Sequence, residues 1–161
     1  MTTPAVAPIA SHEIDALARL MRDTIEPLAY YNERARRAEL AKYTADGLRA
    51  LAAADPQAVL VARDGTAMVG FCVSRFDDGT IWLLWFGTAV HARGRGVGAA
   101  LLAALAATLP SRQAHKVWCD SRTDNVESKS VLERAGFRRI ATLTDHWFGQ
   151  DYFLWEWYPT R

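Results

Sequence analysis

One stretch constrains this chain more than any other: residues 81–102, IWLLWFGTAVHARGRGVGAALL. A hydrophobic strand runs into a loop with glycines at 94, 96 and 98, and the loop opens directly into an apolar helix. Such a passage presents main-chain N–H groups to a phosphate. Glycine removes the side chains that would hold a ligand away. The first turn of a helix leaves its amides unpaired, at the positive end of the helix dipole. Arg93 and Arg95 add charge-assisted donors. The expected ligand is a phosphorylated cofactor, held by Arg93, Gly94, Arg95, Gly96, Val97, Gly98 and Ala99.

Composition narrows the kind of domain that carries this loop. At 161 residues the chain has room for one domain, spanning 1–161, with a core of its own. It is 50% hydrophobic and 23% charged, the balance of a globular chain rather than a disordered one. A net charge of +1 gives no reason to expect nucleic acid. The basic run at residues 33–37 falls in a helical pattern beside Glu39 and reads as a solvated helix face. Cys72 and Cys119 sit in strand-like runs and read as buried free thiols, which suits a reducing cytosol. No basic segment followed by an apolar run marks a signal peptide. The apolar helix near residues 99–109 is too short to span a bilayer. These observations predict a cytoplasmic protein with neither nucleic acid nor membrane as partner.

The order of elements follows from periodicity and turn residues. Residues 4–9 suit a short first strand. Ser11 reads as an N-cap, followed by Glu13 and a stripe of Ile14, Leu17 and Leu20. A second helical region spans about 27–54, broken near Thr44, which can cap a segment carrying Leu48 and Leu51. A strand at 57–63 ends at Asp64-Gly65, a hairpin signal. A strand at 66–76 ends at Asp77-Asp78-Gly79, and a third at 80–90 completes an antiparallel meander. Beyond the glycine loop, a helix places Leu101, Leu102, Leu105 and Leu109 on one side and stops at Pro110. The next strand, 114–120, is joined to the meander by that helix, which makes the connection a parallel crossover. A helix at 125–135 with Gly136 as C-cap and strands at 137–144 and 152–157 close the chain. The fold class is α+β: one domain with a mixed sheet, an antiparallel meander and then a parallel crossover, flanked by helices.

Two cofactor classes compete for the loop. Gly94, Gly96 and Ala99 fit a dinucleotide fingerprint, with Asp120 roughly 20 residues on as the ribose acid. That reading, an oxidoreductase, fails on order. A dinucleotide fold wants further strand–helix units after the loop, and only one crossover and a final strand pair remain.

The arrangement instead resembles the GCN5-related N-acetyltransferase (GNAT) family, over roughly residues 57–157 and more loosely the two N-terminal helices. Three features carry the resemblance in the family's order and at about its spacing. The strand and the loop at residues 93–98 match the family's acetyl-CoA pyrophosphate loop. Asn125 opens the helix after the next strand, where the family often has an asparagine near the pantetheine arm. Glu133-Arg134-Ala135-Gly136-Phe137 is similar to the family's helix-to-strand ending. The resemblance implies acetyl-CoA (coenzyme A) as cofactor, with Phe86, Gly87 and Thr88 lining its pantetheine arm. That arm has peptide-like groups that can pair with a splayed strand. Gly87, inside an otherwise bulky strand, suits a bulge or a close approach, or simply a pliable spot.

The implied activity is N-acetyl transfer to a primary amine, by direct transfer in a ternary complex. A lysine-like amine of pKa near 10.4 costs about 4–5 kcal/mol to deprotonate at pH 7, and a peptide α-amine near 8 only about 1–1.5 kcal/mol. A base is therefore useful. Asp120 falls where some members place an acid, on the strand before the asparagine, and could take a proton directly or through water. Read alone it also fits a capping carboxylate at a strand end; Asp77, Asp78 and Glu127 are further acids. On the acid side the chain departs from the family. Many members protonate the leaving thiolate with a tyrosine seven residues after the asparagine, and here that residue is Leu132. Ser130, Tyr152 and His146 are candidate replacements, and a thiol pKa near 8.5 also lets thiolate leave unassisted.

The acceptor is the least legible part. Residues 146–152 join the last two strands, near where family members often bind the acceptor, so His146 and Trp147 are expected there with Tyr31 and Trp85. Tyr30 and Trp82 face the same cleft in this reading. Aromatic walls can hold an ammonium or an apolar side chain, and they can equally pack a small sheet. The implied partner is a small-molecule or peptide amine, and a homodimer is compatible with the resemblance. The alternative to an enzyme is a non-catalytic acyl-CoA-binding sensor or structural subunit, for which Leu132 is the main argument.

Overall fold

The computed structural model describes residues 4–159. Its strands are β1 (Ala5–Pro8), β2 (Val59–Asp64), β3 (Ala67–Asp77), β4 (Thr80–Thr88), β5 (Lys116–Arg122), β6 (Arg138–Leu143) and β7 (Tyr152–Trp157). They form one sheet in the order β1-β2-β3-β4-β5-β7-β6. The helices are α1 (Ile14–Ile25), α2 (Glu33–Lys42), α3 (Ala45–Ala54), α4 (Val97–Ala107) and α5 (Val126–Arg134).

The meander follows its turn residues. Gly65 stands at φ +60, and Asp78 and Gly79 at φ +46 and +81 between the paired Asp77 and Thr80. Positive φ at both central residues matches the right-handed twist of the flanking strands. The sheet then has two apolar faces. On one, Leu17, Met21, Ile25 and Leu48 from α1 and α3 pack with Val59, Val61, Phe71 and Val73. On the other, Leu101, Leu102, Leu105 and Leu132 from α4 and α5 pack with Leu60, Ile81, Leu83, Val117 and Trp155. Among the described residues, no helix is long and apolar enough to cross a membrane.

The sheet is split in the middle. β4 pairs with β5 in parallel only through Thr80, Ile81 and Trp82 against Lys116, Val117 and Trp118. Beyond those residues the two strands part. A bulge sits at the point of parting: Val73 faces Trp85 and Ser74 faces Leu83, so Leu84 is the extra residue. A bulge bends its strand and reverses which face the later side chains occupy. Ile81 and Leu83 belong to the α4 core, yet Trp85 packs toward the α1 core and Phe86 toward α4.

β4 and β5 are the one parallel pair among the described strands, the crossover expected after the meander and not the doubly wound sheet of a dinucleotide fold. Other expectations change. The strand expected to reach residue 90 ends at Thr88, and Val90–Ala92 is a short 3₁₀ turn. The bulge falls at Leu84, not Gly87. Gly87 lies opposite Phe71, and a Cβ there would stand 2.6 Å from Phe71 Cζ, so the close approach is that of the neighbouring strand's ring. Ser11 does not cap α1: the Ala10 N–H donates to Glu13 Oε2 at 2.8 Å, and Ser11 opens a 3₁₀ turn. The break near Thr44 is present, with Thr44 Oγ1 accepting from the Gly47 N–H at 3.2 Å. The helix before it starts late, however. Asn32 is its N-cap, accepting from the Ala35 N–H at 2.9 Å, which leaves the segment before it, 27–31, outside regular helix.

Candidate active site

Two grooves and a small cavity follow from the parting of β4 and β5. The first groove, about 880 Å³, runs along Phe86, Gly87 and Thr88 to the glycine loop and the start of α5. The second, about 430 Å³, lies on the α2 side, lined by Tyr31, Tyr43, Trp82, Trp85, Trp118 and Trp147 with the carboxylates Glu39 and Asp120. The cavity between the strand ends, about 50 Å³, shares Tyr30, Phe86 and Asn125 with the loop groove and Tyr31, Asp120 and Tyr152 with the aromatic one.

Backbone geometry builds the loop end. Gly94 and Gly96 stand at φ +73 and +78, which side chains other than glycine rarely adopt. A Cβ at either meets nothing within 4 Å, so the requirement is one of dihedral angle rather than space. Gly96 is the N-cap of α4 and offers no side-chain acceptor; the first helical bond runs from the Ala100 N–H to the Gly96 carbonyl at 3.0 Å. The amides of Val97, Gly98 and Ala99 are thus left without an intrahelical partner. Gly98 has a packing reason of its own: a Cβ there would lie 3.2 Å from Val131 Cγ1, across the contact between α4 and α5.

The two arginines of the loop separate. Arg93 lines the groove, its Nη1 3.8 Å from Glu127 Oε1. Arg95 turns away to Asp64 in the β2–β3 turn, with Nη2 donating to Oδ2 at 2.8 Å, and lies outside the groove wall. The charge-assisted donor expected at Arg95 is therefore committed elsewhere.

Asn125 opens α5 as an N-cap. Its Oδ1 accepts from the Ser128 N–H at 3.1 Å, and its Nδ2 donates to Ser128 Oγ at 2.8 Å and to the Tyr30 hydroxyl at 3.0 Å. Asn125 thus ties α5 to the segment between α1 and α2. That segment is anchored again from the opposite side. Arg122 Nε and Gln150 Nε2 donate to the Tyr30 carbonyl at 3.1 and 3.0 Å, and Asn32 Nδ2 donates to the Phe148 carbonyl at 3.0 Å. The loops 28–32 and 146–151 therefore meet over the aromatic groove.

Asp120 lies where the cavity opens into that groove. Its Oδ2 accepts from Trp147 Nε1 at 2.8 Å, and no described residue donates to Oδ1. Burial pushes its carboxyl above the ordinary range, against the Trp147 hydrogen bond and the nearby His146; Glu39 adds to the rise. A raised pKa makes a carboxylate a better proton acceptor. Glu39 is held by Trp85 Nε1 at 2.8 Å and by Lys42 at 2.8 Å.

The other expected residues divide. Tyr31 and Trp85 meet in the aromatic groove with ring centroids 6.0 Å apart, and Trp82 packs on Trp118 at 4.7 Å. Trp147 is half exposed on the groove wall. His146 is exposed and reaches the groove only through the rings of Trp147 and Tyr152, 4.5 and 6.1 Å away. Asp77 sits in the groove wall beside Arg75, and Asp78 is confined to the turn. Leu132 is 1% exposed and lines the cavity, so no donor stands there. Ser130 lines the loop groove, and Tyr152 lines both the cavity and the aromatic groove. Glu39, Arg122 and Gln150 were not expected at the site. Glu39 had the look of a solvated helix face, and Arg122 and Gln150 act through partners far away in sequence.

The chain's fold recurs among solved structures. PaiA N-acetyltransferase from Thermoplasma acidophilum in complex with coenzyme A has a TM-score of 0.83 at 15% identity, covering 98% of this chain and 100% of that one. Ard1 from Thermoplasma volcanium has a TM-score of 0.79 at 20% identity, covering 99% and 100%. YncA, a putative acetyltransferase from Salmonella typhimurium solved with its cofactor acetyl-CoA, has a TM-score of 0.78 at 17% identity, covering 98% and 94%. No curated protein sequence gives a match. The model of the acetyltransferase (GNAT) family matches residues 17–137, most of the chain and all of the split in the sheet, and the chain belongs to that family.

Proposed function

We propose that this chain moves an acetyl group from acetyl-CoA to a primary amine, small-molecule or peptide, by direct transfer in a ternary complex. The observation that carries the reading is that two unlike grooves adjoin one cavity between the parted strands, with Asp120 where that cavity opens into the aromatic groove. One groove ends in free helix amides, Arg93 and two glycines at positive φ, which suits a pyrophosphate. Beyond Trp82 the edge of β4 that faces β5 has no strand partner among the described residues, which suits the peptide-like groups of pantetheine. Bound acetyl-CoA supplies an activated acyl group as a thioester.

The chain's own residues supply the rest. The aromatic groove takes the acceptor, and Asp120 receives the amine proton through its free oxygen. Direct transfer is supported by the cysteines. Both are buried; burial pushes the Cys72 thiol up to about 12 and the Cys119 thiol well above its usual value, so neither offers a thiolate for a covalent step. Calorimetric titration with CoA, followed by thiol release from acetyl-CoA across a panel of amines, tests the reading. No CoA binding would overturn the cofactor assignment. Binding without turnover on any amine would favour the acyl-CoA sensor.

A further inference from the structure

The cavity between the strand ends has no donor at Leu132, but Tyr30 also lines it, with its hydroxyl beside Asn125 of the same wall. We propose that Tyr30 is the hydrogen-bond donor to the sulfur that leaves when a thioester is cleaved in this cavity. The inference rests on acetyl-CoA as the donor and assigns a further residue to that reading.

Position is the first argument. Tyr30 lines the loop groove and the cavity, while its neighbour Tyr31 lines the cavity and the aromatic groove. An acyl group that passes from one groove to the other must cross the space these adjacent tyrosines border. Hydrogen bonding is the second. The Tyr30 oxygen accepts from Asn125 Nδ2 at 3.0 Å, and no described residue accepts from its O–H. A hydroxyl that accepts from an amide keeps its own proton for another partner. Rigidity is the third. The Tyr30 carbonyl takes two side-chain hydrogen bonds, from Arg122 and Gln150, and its ring meets Tyr31 edge to face at 5.1 Å. A donor held in place needs no reorganisation when charge develops.

Transfer forms the C–N bond and breaks the C–S bond, the electron pair staying on sulfur. The proton of the amine leaves to Asp120 or water. Tyr30 keeps its proton, because burial pushes its phenol up to about 12 and a thiolate near 8.5 is too weak a base to take it. Its part is to stabilise the sulfur anion by hydrogen bonding. The charged and titratable groups around it are Arg122 and Asp120 from β5, Arg93 from the glycine loop, Glu127 from α5, Tyr31 beside it and Tyr152 from β7. Ser128 is the rival, since its hydroxyl also accepts from Asn125 and lines the same spaces.

The test needs no acceptor. CoA is bound to wild type, Tyr30→Phe and Ser128→Ala, with affinity measured by calorimetry, and the bound thiol is titrated by its ultraviolet thiolate absorbance. The thiol should titrate about one unit lower in wild type than in Tyr30→Phe, a tenfold difference in thiolate fraction below the pKa. Ser128→Ala should stay with wild type. Equal titration of wild type and Tyr30→Phe would overturn the proposal, as would a shift that is lost in Ser128→Ala alone. Phenylalanine keeps the ring, so thermal denaturation should find Tyr30→Phe folded. Failure of wild type to bind CoA would instead overturn the cofactor reading, and this proposal with it.

Discussion

Replacing Asp120 with asparagine isolates the proton-acceptor role from everything else the residue does. The amide oxygen can still accept from Trp147 Nε1, now at 2.8 Å from Oδ2, so the loop 146–151 should keep its place. What is lost is the free carboxylate oxygen. A wild-type enzyme that takes up the ammonium form and deprotonates it in place has a kcat/KM that is level between the Asp120 pKa and the amine pKa. The variant must wait for neutral amine from solution, so its kcat/KM should rise with pH at unit slope. The ratio between them is then about tenfold at pH 7 for an amine of pKa near 8, and about 10³ for one near 10.4. It should close as pH reaches the amine pKa. On the acid side, wild-type activity should fall as pH drops through the Asp120 pKa, which burial holds above the ordinary carboxyl value. Stability gives an independent check of sign. A carboxyl raised on folding binds its proton more tightly in the native state, so it costs stability as pH rises through the folded value. Asp120→Asn removes that cost, and its Tm at neutral pH should not lie below wild type. The assay is thiol release from pH 6 to 10 with saturating acetyl-CoA. Parallel profiles at every pH would remove Asp120 from proton transfer.

Three further outcomes are expected. Gly96→Asp sets a side chain at φ +78 and a negative charge beside the free amides of α4, so calorimetry should show CoA affinity lost, while strain of roughly 1–2 kcal/mol leaves the fold standing; unchanged affinity would refute the loop assignment. Leu132→Tyr enlarges a side chain that is 1% exposed in the α4 core, and denaturant unfolding should show about 1–3 kcal/mol lost, with turnover level or raised if the ring enters the cavity; unchanged stability would show that the site is looser than this packing. Gln150→Ala releases that side chain's two bonds to residues 30 and 32 and leaves only Asn32 Nδ2 on the Phe148 carbonyl, so the KM for the amine should rise several-fold while CoA affinity holds, and an unchanged amine KM would separate these loops from acceptor binding.

Local chemistry was readable in the chain before any tertiary structure. The hairpin at Asp64-Gly65, the turn at Asp78-Gly79, the cap at Thr44 and the glycine N-terminus of α4 are decided within a few residues, by dihedral preference and by the nearest hydrogen-bond donor. That is why the order of strands and helices, and the groove that suits a phosphate, followed from spacing. What tertiary structure alone decided lies where one segment depends on another far away. The bulge at Leu84 exists only in the register of β4 against β3, and it sets which groove Trp85 and Phe86 face. The segment 27–31 has a helical composition, but Asn32 caps the helix behind it and Arg122 and Gln150 capture the Tyr30 carbonyl. Arg95 had every local reason to face the ligand, and a carboxylate 31 residues earlier in the chain took it. Each of these competes a local preference against a partner delivered by folding, and periodicity within one segment carries no information about that partner.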